Sequence, residues 1–211
     1  MKKAFLSLLC LMGIISFSLA QSINVGIKAG VNFSKLAASS GGLTLTSSST
    51  TGFHVGAVVD LGFDNWSLQP GLLYSTKGGT YGSAADGGTA KLTLNYVEVP
   101  VNLLYNIPLV VGKVFIGGGP YFGYGISGKG TTTGAFTSTG SGTETQNLTF
   151  GSGPGDTKNP DYGVNFIGGF RFNTGLSFSV GYGLGLGNLS NDSSATIKNN
   201  VVSVSVGYFF L

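Results

Sequence analysis

The sequence predicts an all-β fold, an eight-stranded antiparallel transmembrane up-and-down β-barrel. Three observations predict it. Beyond residue 20 the apolar residues recur with a period of two, and no helical period survives. The alternating runs are about ten residues or longer, whereas strands of soluble proteins average roughly 5–6 and a tilted bilayer-crossing strand needs about 9–11. Charged residues make up only 9% of the chain, against about 25% in ordinary soluble domains, so much of the surface must meet something other than water.

The N-terminal segment is read as targeting. Lys2 and Lys3 precede the almost unbroken apolar stretch 4–17, and Ser18-Leu19-Ala20 places small residues where a signal peptidase cuts. The stretch falls short of the roughly 20 residues of a membrane-spanning helix. Residues 1–20 are expected to be a signal peptide cleaved after Ala20, and residues 21–211 a single barrel domain. Cys10, the only cysteine, sits mid-stretch rather than at the end where a lipid-modified cysteine stands. Its removal leaves no disulfide, thiolate metal site or cysteine nucleophile. Without Lys2 and Lys3, nine basic residues face eight acidic ones, a net charge of +1 instead of +3. No nucleic-acid partner is expected from that balance.

Eight runs follow in order: 23–36, 52–61, 65–77, 91–105, 114–128, 161–173, 174–188 and 199–211. In the first, Ile23, Val25, Ile27, Ala29, Val31 and Phe33 share one face, while Asn24, Gly26, Lys28, Gly30, Asn32 and Ser34 share the other. In the second, Phe53, Val55, Ala57, Val59 and Leu61 oppose His54, Gly56, Val58 and Asp60. The seventh and eighth set Leu176, Phe178, Val180, Tyr182, Val202, Val204, Val206 and Tyr208 against serines and glycines. The connections alternate in length. Gly62-Phe63-Asp64, 106–113 and Asn173-Thr174-Gly175 are short, while 37–51, 78–90, 129–160 and 189–198 are long and rich in Gly, Ser, Thr and Asn. An even strand number puts both termini and every short turn on one side. Short periplasmic turns and longer outer loops are the pattern of a bacterial outer-membrane barrel, which sets the expected location.

A soluble β-sandwich would also give one apolar and one polar face per strand. Here the polar face carries small residues with few charges, as suits the crowded lumen of eight strands. Aromatics also gather at the run ends, with Trp66, Tyr105, Phe172, Tyr208 and Phe210 on the short-turn side. Phe33, Phe53, Tyr74, Tyr124 and Tyr162 fall on the long-loop side. Two belts of this kind mark the two interfaces of a bilayer.

Four stretches carry a resemblance: Ile27-Lys28-Ala29-Gly30-Val31-Asn32-Phe33-Ser34, Leu68-Gln69-Pro70-Gly71-Leu72-Leu73-Tyr74 with Lys77-Gly78-Gly79, Tyr96-Val97-Glu98-Val99-Pro100, and Gly117-Gly118-Gly119-Pro120-Tyr121. In this order across the mature chain they resemble the small outer-membrane β-barrel family of Bacteroidetes, often called PorT-like. The resemblance implies the barrel, outer-membrane lipid as surroundings and the barrel-assembly machinery as a partner during insertion. Its motifs point to the family and not to an activity. The chain departs from the frequent aromatic C-terminus by ending Tyr208-Phe209-Phe210-Leu211.

Parity places Lys28, Asp60, Glu98 and Arg171 in the lumen with His54 and Tyr121. Buried charges must be paired, so a structural network is expected. Arg171 and Glu98 suit a bidentate pair, and Lys28 can join Glu98 or Asp60. A narrow proton or ion path is the sharper alternative, but eight strands leave little room for water. His54 is the only histidine. With Ser34 on the neighbouring run it is the one seed of a hydrolase or acyltransferase site. No second histidine or paired-carboxylate motif accompanies it, so no catalytic residue, cofactor or metal site is expected. Gly123–Lys129 has the spacing of a phosphate-binding loop but lacks the following Ser or Thr and helix. Loop 129–160 is read as flexible and variable, with contact to a protein or polysaccharide as the functional alternative. Its low apolar content argues against a preformed hydrophobic pocket. The leading reading is a non-enzymatic barrel displaying extracellular loops. Its rivals are a component of an export or uptake apparatus, which the resemblance suggests, a narrow channel, and an enzyme centred on His54.

Overall fold

The computed structural model describes residues 22–83, 87–153, 155–192 and 194–210. The leader 1–20 and its cleavage point lie outside the described residues.

Ten strands form one antiparallel sheet: β1 (Ser22–Ser40), β2 (Leu43–Thr46), β3 (Thr50–Phe63), β4 (Trp66–Ser83), β5 (Gly88–Leu109), β6 (Gly112–Gly134), β7 (Thr143–Leu148), β8 (Asp161–Phe172), β9 (Leu176–Gly185) and β10 (Ala195–Phe210). The path β10-β9-β8-β6-β5-β4-β3-β1 is completed by a β10–β1 pairing. That seam runs from Val25 opposite Phe210 to Ser40 opposite Ala195. The circuit therefore has no free edge, which also removes the unpaired N–H and C=O groups an edge would present. β2 and β7 stand outside it, paired with the upper parts of β1 and β6.

The described sheet has ten strands where the sequence shows eight runs, because parts of the predicted loops are themselves paired. One sequence expectation is corrected here. The strands also continue further. Segment 106–113 is not a connection, since β5 and β6 pair down to Leu109 opposite Gly112 and leave only Val110 and Val111 as the turn. The physical reason is that backbone pairing continues wherever a neighbouring strand is present, whatever the polarity of the side chains. At the other end β5 and β6 stay paired up to Gly88 opposite Gly134. At about 3.3 Å per residue and a tilt near 40°, the 22 residues of β5 advance roughly 55 Å along the barrel axis. An outward apolar band is only about 25 Å tall, so the long-loop end stands well clear of it. Gly123–Lys129 lies within β6 and forms no phosphate-binding loop.

The tight turns have local causes. The β3–β4 turn places Asp64 at φ 51° and the β8–β9 turn places Gly175 at φ 90°, positions that Asx residues and glycine tolerate. Side-chain alternation divides the wall into two faces. Outward, Ile27, Leu72, Ile116, Phe166, Val180 and Val204 are among many exposed apolar residues. Inward, Asn32, Gln69, Asn102, Ser179 and Ser205 are buried with the charged groups. Polar groups lie inside and apolar groups outside, the reverse of a water-soluble sheet.

Candidate functional site

Register decides which lumen charges meet. At the short-turn end Asp60 on β3, 1% exposed, is reached by Arg171 Nη1 at 2.6 Å and Lys113 Nζ at 3.4 Å. The Arg171 guanidinium lies 3.4 Å from the centroid of the Phe209 ring, a cation–π contact in a desolvated setting. Nearer the long-loop end, Lys77 Nζ lies 2.5 Å from Glu98 and 3.4 Å from Asp161. The Tyr121 hydroxyl donates to Asp161 at 3.3 Å, and Lys77 sits 4.3 Å above the Tyr121 ring.

The expected Arg171–Glu98 pair is not formed. Arg171 lies opposite Lys113 on β6 and Glu98 opposite Gly123, ten residues further along that strand. At about 3.3 Å per residue no side chain spans the gap. Lys28 joins neither Glu98 nor Asp60 in an ion pair among the described residues. It lines a cavity of about 60 Å³ with His54, Asn32, Ser75, Glu98 and Asn102, a volume suited to a few waters. Lys77, Asp161 and Lys113 are absent from the sequence-derived group. Lys77 and Asp161 fall at run ends, where a charge reads as solvated, and Lys113 falls in a segment read as a connection. Parity alone marks Lys77, because it shares a face with Gln69, Leu73 and Ser75.

His54 is held from both sides. Its Nδ1 meets Asn32 Oδ1 at 2.8 Å and its Nε2 meets Ser205 Oγ at 2.9 Å. Asn32 Nδ2 donates to Phe53 O, Ser75 Oγ and Thr76 O. The amide oxygen therefore faces the ring, so Nδ1 carries the proton and Ser205 donates to Nε2. The partner expected for His54, Ser34, is engaged elsewhere, donating to Thr50 O and accepting from Gly78 N. Ser205, His54 and Asn32 stand in the order nucleophile, base and orienting group. The array is nevertheless buried in the wall, and a Cβ on Gly30 would lie 2.6 Å from the imidazole. Ser205 does not line the cavity that His54 and Asn32 reach. Among the described residues no three His, Cys, Asp or Glu side chains converge in a way that could hold a metal.

An apolar cluster packs at the long-loop end. Leu36, Leu94, Tyr96 and Leu189 are buried together, with Tyr81, Leu92, Leu148, Phe150 and Ile197 against them. Phe150 meets Tyr96 edge-on at 5.7 Å and lies so close to Gly125 that a Cβ there would come 2.1 Å from its ring. Segment 129–160, read from the sequence as a flexible loop of low apolar content, contributes Leu148 and Phe150 to this cluster. The end of β6 and all of β7 lie within it, Asn191 Nδ2 bonds the carbonyls of Gly151 and Asp156 at 3.0 Å, and Asn159 bonds both backbone groups of Gly125. Two bonds from Ser138 hold the Glu144 carboxyl below the usual carboxylate range, and Ser194 does the same for Asp192. Segment 129–160 adds two apolar side chains, Leu148 and Phe150, because β1, β4, β5 and the last long loop supply the rest of the cluster.

An inside-out closed sheet with a polar, ion-paired interior is thus on view. Over residues 19–191 the chain matches the outer membrane protein beta-barrel domain family. It belongs to that family. Membership in the outer membrane protein beta-barrel domain family places the protein in the bacterial outer membrane and accounts for the apolar exterior. No curated protein sequence matches the chain. Among solved structures it is similar to Ail, the attachment invasion locus protein of Yersinia pestis, at 12% identity and a TM-score of 0.44, over 89% of this chain and 98% of that one. A second structure of Ail is in complex with the heparin analogue sucrose octasulfate. Neisserial surface protein A is similar at 11% identity and a TM-score of 0.46, over 90% of this chain and 100% of that one. The Pseudomonas putida toluene transporter TodX follows at 10% identity and 0.22, over 92% and 90%.

Proposed function

We propose that the closed circuit is an eight-stranded transmembrane barrel, reached after removal of residues 1–20, and that it serves as a non-enzymatic module presenting its outer loops to a partner. The observation that carries this reading is the contrast between lumen and mouth. The lumen is filled by two ion networks, apolar side chains and a cavity of about 60 Å³, an interior suited to rigidity rather than flow. The outer end, in contrast, is elaborated: two additional strands, long paired extensions and cross-tied loops make a shaped platform. A role in an export or uptake apparatus rests on the PorT-like resemblance and would use the same platform.

Planar-bilayer recording separates this reading from a channel. The protein is expected to insert without steady single-channel steps, and steps abolished by Lys77 or Glu98 substitutions would overturn it. A photo-activated cross-linker at Thr139, in native membranes, is expected to give a discrete adduct that the same group at Val110 on the short-turn end does not.

A further inference from the structure

The eight circuit strands carry their charges in a sorted way. Lys28, Asp60, Lys77, Glu98, Lys113, Asp161 and Arg171 take the inward alternation, whereas the outward face holds four charges, Lys35, Lys91, Lys129 and Lys198. All four are lysines and all lie at the long-loop end. Lys91 is opposite Thr131, so Lys129 is its diagonal neighbour on the next strand. Lys35 is opposite Asn200 and Lys198 opposite Ala37, which makes a second diagonal pair across the seam. Diagonal neighbours stand about 7–8 Å apart, and like charges so placed repel unless an anion lies between them. None of the four forms an ion pair among the described residues. Among the described residues, the loop acids at this end are engaged locally, with Glu144 on Ser138, Asp192 on Ser194 and Asp156 on Thr149 and Gly153.

We propose that these four lysines form a collar that binds the phosphorylated headgroup of a glycolipid in the outer leaflet. This rests on the transmembrane reading above. The collar's height selects the ligand. Lys35 is two residues beyond Phe33 of the aromatic belt and Lys91 is six beyond outward Val97, an advance of roughly 5 to 15 Å at about 2.5 Å of height per tilted residue. A phospholipid head layer is only about 5–8 Å deep on each side, so the upper lysines reach past it into a layer that a sugar headgroup fills. A groove of about 650 Å³ opens along β6 where β7 ends, with Lys129, Tyr124, Ile126 and Leu148 in its walls. It offers apolar and ring surface next to the charge, which suits an amphiphile better than free phosphate.

The test uses the full mature chain in phosphatidylcholine nanodiscs doped with diphosphorylated lipid A or with the same lipid dephosphorylated, and reads the retained lipid by native mass spectrometry. Insertion is scored first, by protease protection in undoped discs. The diphosphorylated form is expected to be enriched several-fold, with the enrichment falling roughly tenfold in Lys91→Gln/Lys129→Gln and in Lys35→Gln/Lys198→Gln. Lys158→Gln, a loop cation off the wall, is expected to retain it. If the protein inserts but shows equal retention of both lipids, or if the double variants keep the enrichment, the collar fails and the membrane reading stands. If the protein does not insert, both fall. Capture of a soluble sulfated polysaccharide by the same lysines without lipid enrichment also overturns the assignment.

Discussion

Lys77 stands between two carboxylates, and Lys28 stands beside a small cavity with no ion pair. The two lumen cations therefore differ in what their removal strands. Lys77→Met leaves Glu98 and Asp161 facing each other without a counter-charge, a change that typically costs about 3–5 kcal/mol. Lys28→Met removes a charge that forms no ion pair, leaves Glu98 paired with Lys77, and puts in a side chain of similar length, an exchange that ranges from neutral to stabilising. Denaturant unfolding in detergent is expected to show a large drop in midpoint for the first variant and none for the second. Equal effects would mean that the lumen charges act as a diffuse field rather than as pairs.

At the scale of the strand, alternation has opposite consequences on the two faces. Val180 in the middle of β9 is 57% exposed, and its neighbour Ser179 is buried. On a soluble protein an exposed valine replaced by arginine shifts stability by about 0.5 kcal/mol or less. On a lipid-facing wall the same change at mid-height costs roughly 2–4 kcal/mol. Val180→Arg is therefore expected to reduce folding into phosphatidylcholine vesicles markedly, measured by protease resistance, while Leu43→Arg on β2 outside the circuit leaves it unchanged. The ends of the strands add aromatic pairs: Trp66 with Tyr105 at 5.0 Å and Tyr208 with Phe210 at 5.5 Å near the short turns, and Phe53 with Tyr74 at 5.6 Å nearer the loops. Such pairs anchor a wall at two heights.

For the whole molecule, closure decides viability. β10 is bonded to β9 on one side and β1 on the other, and Phe209 inside the seam packs on Val58 and Leu73 beneath the Arg171 guanidinium. Deleting 206–211 would open the short-turn end of both pairings and strip one wall from the Asp60 network. Hydrocarbon offers no partner for the freed backbone groups. The truncated chain is expected to aggregate or remain protease-sensitive in vesicles that fold the full chain, whereas deletion of 138–142 at the outer tip leaves folding intact. Survival of the truncated form would show that the seam is dispensable.

The sequence by itself determined the class of fold, the two faces and the loop-length asymmetry, because each follows from local period and turn chemistry. Val25, Ile27, Ala29 and Val31 point outward and Gly26, Lys28, Gly30 and Asn32 inward whatever the neighbouring strand is. It also put Lys28, His54, Asp60, Glu98, Tyr121 and Arg171 on the inner face. Only the tertiary structure decided who meets whom, because partnership depends on inter-strand register, a relation between distant residues that no local pattern encodes. Register carries Arg171 to Asp60, leaves Glu98 to Lys77, and brings Ser205 across the seam to His54 in place of Ser34. It also brings Phe150 over Gly125 and aligns the four outward lysines in diagonal pairs, features of the outer mouth that composition presents as an unremarkable stretch of Gly, Ser and Thr.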